Sequence, residues 1–116
     1  MPEPTAPSMG TPDEAAVAAL DDIVEALSTQ ADLQRASMFG MPSARRRGGK
    51  AFAGIYGTDL VLKLDGPAHA EALTLSGAHL FEPMAGRPMK QWVVVPAAHR
   101  DRWLELAREA LGSTPA

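Results

Sequence analysis

Two strand-forming runs, Ala51 to Tyr56 and Asp59 to Leu64, meet at Gly57-Thr58. A glycine opening a two-residue connection matches a type II′ hairpin turn, so the runs are predicted to pair antiparallel. In the second run Leu60, Leu62 and Leu64 share one face, with Val61 and Lys63 on the other. In the first run Phe52, Gly54 and Tyr56 fall on one face and Ala53 and Ile55 on the opposite one.

Further pieces extend this hairpin into a sheet. Residues 37–41 read as a short first strand ended by Pro42, and Arg45 to Gly49 as a charged, glycine-ended loop. His79 to Pro83 is a short strand; Met89 to Val95 is the strongest, stopped by Pro96. Helices surround them. Thr11-Pro12-Asp13-Glu14 carries the signature of a helix start, with Thr11 as cap, Pro12 at the first position and Glu14 closing a capping box. Val17, Leu20, Ile23, Val24 and Leu27 then recur at helical spacing, and the helix is predicted to end between Leu27 and Leu33. A second helix over about 67–76 starts at Pro67 and is placed to end at Gly77. The last spans about 97–111, with Trp103, Leu104, Ala107, Ala110 and Leu111 inward and Gly112 as its cap.

The predicted order is α-β-β-β-α-β-β-α, an α+β domain with a five-stranded, mainly antiparallel sheet. Residues 1–10 form a tail, 11–112 the domain and 113–116 a C-terminal tail. Because the last helix folds back over the sheet directly from the last strand, Trp92 and Trp103 are expected in one core region. Helices covering one face leave the other partly open, which predicts pairing with a second copy as a homodimer.

The chemistry is sparse. There is no cysteine, which excludes disulfides and thiolate sites and fits a reducing cytoplasm. No apolar run is long enough for a membrane span, and no basic region followed by an apolar core marks a secretory signal. His69, His79 and His99 stand ten and twenty residues apart, a spacing unlike metal-ligand sets. Asp21 and Asp22 are adjacent on a helix and point to different sides, a poor acid–base pair. Ser28, Ser37, Ser43 and Ser76 sit in no nucleophile elbow. Gly48-Gly49-Lys50 precedes a strand and lacks the remainder of a phosphate loop. No catalytic, cofactor-binding or metal-ligating residue is predicted, and the chain reads as a non-enzyme.

Charge offers the one candidate site. Net charge is −3, yet residues 1–34 carry seven acids and no Lys or Arg. Arg45, Arg46, Arg47 and Lys50 gather four positive charges in six residues, and Arg87 and Lys90 join them if the two loops share one end of the sheet. A solvated loop is the ordinary reading of such a run. The functional alternative is contact with an acidic protein partner or with nucleic-acid phosphate. Aromatic residues that could stack on bases are scarce, and most of them fall on core-like positions.

With these residues laid out, the chain resembles the N-terminal domain of the TfoX/Sxy competence regulators, and more closely the small bacterial proteins made of that domain alone. The matching pieces are Met38-Phe39-Gly40, Gly49-Lys50 leading to Phe52, Leu60 to Leu64, Gly77 followed by Phe81, and Gly86-Arg87-Pro88-Met89 leading to Val95-Pro96, over about residues 11–112. A weaker resemblance is to YjbR/MmcQ-like proteins. The first resemblance implies a secretion-chaperone-like fold and a regulatory or protein-interaction role, without catalytic residues.

Overall fold

The computed structural model describes residues 13–38, 40–84 and 86–114. The tail expected over 1–10, the Thr11 cap, the first-position Pro12 and the family-matching Phe39 lie outside the described residues.

Helix α1 covers Glu14–Leu27. Its cap is Asp13, whose carboxylate accepts the Ala16 N–H at 3.1 Å. An acid here satisfies one of the orphan N–H groups and faces the positive end of the helix dipole. Ala16, Leu20, Ile23 and Leu27 form the buried stripe, flanked by half-buried Val17 and Val24.

Six strands follow, one more than the sequence predicts: β1 Leu33–Met38, β2 Met41–Arg46, β3 Ala51–Tyr56, β4 Asp59–Lys63, β5 His79–Met84 and β6 Arg87–Val95. They form one antiparallel sheet in the order β1-β2-β3-β4-β6-β5. Helix α2, Gly66–Leu73, joins β4 to β5. A 3₁₀ turn at Ala97–His99 leads into α3, Arg100–Ser113. The extra strand is β2. Pro42 and the arginine run read as a break and a loop, yet Pro42 pairs opposite Ser37 one strand in from the edge, and Arg45 and Arg46 still belong to the strand.

The β3–β4 hairpin forms as predicted, with Tyr56 opposite Asp59 and Gly57 at φ +65°. The predicted face pattern of β3 fails in one place. Ala44 opposes Ala53 and Arg45 opposes Ala51, so Phe52 has no partner on β2. This bulge turns Phe52 to the same side as Ala53 and Ile55, into the helix-covered core.

That core holds Leu60, Leu62, Leu64, Val93 and Val95 from the sheet, and Trp103, Leu106, Ala107, Ala110 and Leu111 from α3. Leu106 takes the inward place expected of Leu104, which is 37% exposed. Positions 103, 106, 107, 110 and 111 are the i, i+3, i+4, i+7, i+8 set of one helix face. The Trp103 indole N–H donates to the Pro96 carbonyl at 3.3 Å, and the Arg100 guanidinium stands 5.0 Å from its ring centroid.

The opposite sheet face is not open. Met41, Val61, Phe81, Trp92 and Val94 bury one another there, with Val61 fully inaccessible. Trp92 therefore lies across the sheet from Trp103 and not in the same core, because alternation along β6 sends Val93 and Val95 to the helices and Trp92 and Val94 away.

Two helix ends also differ from expectation. α2 stops at Leu73, and Gly77 serves the following turn at φ +83°, where a Cβ would lie 3.2 Å from Pro96. α3 runs through Gly112 to Ser113, with Thr114 as its cap, so the expected C-terminal tail begins inside the fold. Arg46 closes that end: its guanidinium donates to the carbonyls of Thr114 at 2.9 Å and Leu111 at 3.0 Å. A cation on the last carbonyls satisfies groups a helix cannot pair itself.

Candidate functional site: a basic end of the sheet

Folding sorts charge into layers. Segments 33–64 and 77–96, the strands and their connections, carry eight of the eleven Lys and Arg residues and two of the fourteen Asp and Glu. The helical segments 13–32, 65–76 and 97–114 carry eleven acids and three bases. The helical segments are net acidic and the sheet segments net basic, a separation that the net charge of −3 conceals.

Within the sheet the basic residues divide by what they touch. Arg35 pairs with Asp21 of α1. Arg46 holds the end of α3. Arg47 pairs with Asp32 at 3.0 Å. Arg45, Lys50, Lys63, Arg87 and Lys90 have no carboxylate partner among the described residues.

These five cations lie at one end of the sheet. Arg45 is on the last part of β2, opposite Ala51 at the start of β3, and Lys50 is in the turn between them. Lys63 ends β4 and stands opposite Trp92 of β6. Arg87 and Lys90 open β6. The two predicted basic segments thus share one end of the sheet, while Arg46 and Arg47 of the predicted set are engaged by other groups of the fold. Lys63 is the residue that sequence reasoning missed. It is remote from the arginine run in sequence, and only the antiparallel order places it beside them.

Local geometry adds to the site. Lys63 shares the Val61 side of β4, the face away from the helices. Arg45 shares that side of β2 with Met41 and the 1% exposed Ser43. The Arg45 Nε and Ser43 Oγ are buried without a hydrogen-bond partner among the described residues. A cleft of about 380 Å³ runs beside β6, lined by Pro88, Met89, Lys90, Gln91 and Trp92. Three acids share this end, each engaged: Asp32 with Arg47, Asp65 with the Ser113 hydroxyl at 3.0 Å, and Glu82 with the Gly86 N–H at 2.6 Å.

A second cleft, of about 420 Å³, lies toward the other end of β5 and is lined by residues that include Tyr56, Asp59, His79, Phe81 and Val94. Its polar groups serve the fold. The Asp59 carboxylate accepts from the Ala97 N–H at 3.2 Å, and His79 Nδ1 is 3.0 Å from the Gly77 carbonyl. The other histidines are also tied to main chain, His69 to the Lys90 carbonyl and His99 to the Ser76 carbonyl, both at 2.8 Å. No group of three or more His, Asp or Glu able to hold a metal ion occurs among the described residues. Among the described residues Arg102 is the one titratable group clearly shifted: its hydrogen bonds and charge contacts, first with Glu105 and then with Glu71, raise it above the usual arginine value. That contact joins α3 to α2 on the acidic side and has no part in the basic end.

Fold and site together define an α+β domain with a polarised charge distribution and an unneutralised cationic end. No protein-family model, curated protein or solved structure matches the chain.

Proposed function

We propose that this chain is a non-enzymatic interaction module of the TfoX N-terminal type that binds an acidic segment of a protein partner at the basic end of its sheet. The observation that carries this reading is the gathering of Arg45, Lys50, Lys63, Arg87 and Lys90, without a carboxylate partner among the described residues, beside the cleft lined by Met89 and Trp92. Carboxylates approaching these groups gain charge-assisted hydrogen bonds, and apolar neighbours in the segment gain the cleft. The acidic helical layer repels the same partner from the opposite side and so orients its approach.

Nucleic acid approaching this end of the sheet would meet the same five cations. It is the less supported partner. Arg46 and Arg47 are engaged within the fold, and Trp92 and Phe81, aromatic residues near this end, are 8% and 2% exposed, so neither offers a face for a base to stack on.

The test is fluorescence anisotropy with a labelled Glu-rich peptide and a labelled DNA duplex, using wild type and the double variant Lys63→Glu, Lys90→Glu. Peptide binding that weakens with salt and disappears in the variant supports the proposal. Duplex binding tighter than peptide binding, or no binding of either, overturns it.

A further inference from the structure

The two free edges of the sheet are built differently. β5 is blunted: its register with β6 breaks twice, and Pro83 has no N–H to offer. Bulges and prolines are the usual devices that stop an edge from recruiting another strand. β1 has neither. All six of its residues pair with β2 in unbroken register, and the run Leu-Gln-Arg-Ala-Ser-Met contains no proline or lysine.

The hydrogen-bonding parity of β1 follows from its pairing. The Arg47 N–H donates to the Asp32 carbonyl at 2.9 Å, so even-numbered residues here turn their main-chain groups toward β2. A two-residue connection closing at Met38 and Met41 gives the same parity. Arg35 and Ser37 therefore direct their N–H and C=O outward. Among the described residues no main-chain hydrogen bond outside the sheet ladder reaches β1.

We infer that β1 is the docking strand for a second copy of this chain, added antiparallel about a two-fold axis normal to the sheet. The two helical layers then share one face, and residues of equal parity stand opposite each other. Centring the pair on Arg35 would oppose like charges, which destabilises a cross-strand pair. Centring it on Ala36 sets Ala36 against Ala36 of the second copy and Arg35 against Ser37. It uses residues 34–38, all within the strand, and contributes about four new main-chain hydrogen bonds. Each Arg35, on the helix side with its own Asp21, then stands between the two acidic α1 helices. Such a contact is smaller than a standard interface, so association is weak and depends on protein concentration.

The absence of cysteine makes the register directly testable. Directly opposed Cβ atoms in a pair lacking hydrogen bonds come close enough to cross-link after small adjustment. Under oxidation Ala36→Cys should yield a disulfide-linked dimer, and Ser37→Cys, which faces Arg35 in this register, should not. Ser37→Pro removes an outward N–H, which edge strands tolerate, so it should sediment as a monomer with an unchanged circular dichroism spectrum. Wild type should sediment with a dimer fraction that grows into the high-micromolar range. A wild type that stays monomeric there overturns the inference, as does a folded Ser37→Pro variant that dimerises like wild type or equal cross-linking of the two cysteine variants.

Discussion

Tyr56 and Phe81 meet edge to face with ring centroids 5.2 Å apart, although β4 and β6 lie between their strands. In a flat sheet their strands would be about 14 Å apart, three steps of roughly 4.8 Å. The sheet must curl and both rings must lean inward to close that gap. Curling lets the face without helices bury Val61 and Val94 with side chains from the sheet itself.

Phe81→Ala should therefore cost about 3–5 kcal/mol, as much as a large aromatic lost from a helix-covered core. Urea titration checks this, and a loss below about 1 kcal/mol would mean that the second cluster contributes little to stability.

The arginine run should split by partner. Arg46 donates two hydrogen bonds to carbonyls at the end of α3, so Arg46→Ala should cost about 1–3 kcal/mol. Arg47 makes an ion pair whose side chains are 61% and 72% exposed, so Arg47→Ala should cost less than about 1 kcal/mol. Thermal unfolding of the two variants side by side measures the difference, and equal effects would contradict it.

Gly57 has φ +65°, and an added methyl group would meet no atom within 4 Å, so its replacement carries a conformational cost without a clash. Gly57→Ala should destabilise by about 1 kcal/mol, read as a lower denaturation midpoint with an unchanged slope.

Trp103 is 1% exposed at the centre of the helix-side core, and Trp103→Ala should cost about 3–5 kcal/mol in a urea titration. Such a loss is comparable to the whole stability of a marginal domain.

Much of the fold was legible in the sequence because its determinants are local. The stripe of α1 and the Gly57-Thr58 hairpin depend on residues a few positions apart, and both form as predicted. What was missed depends on distant partners. β2 reads as a break and a loop because Pro42 and three arginines suggest solvent, yet Arg46 meets carbonyls 65 and 68 residues further along. The Phe52 bulge is a matter of register between strands, which alternation along one strand does not reveal. Trp92 and Trp103 are near in sequence, but a single step of pleat sends Trp92 to the other face. The basic end was half visible: Arg45, Lys50, Arg87 and Lys90 stand out as charge, whereas Lys63 joins them only through the β4–β6 pairing.

The basic end as a binding surface is tested most directly by nuclear magnetic resonance titration of the labelled protein with a Glu-rich peptide. Amide signals of Arg45, Lys50, Lys63, Arg87 and Lys90 and the indole signal of Trp92 should move together, and salt should reverse the shifts. Shifts confined to α1 and α3, or none at all, would contradict it.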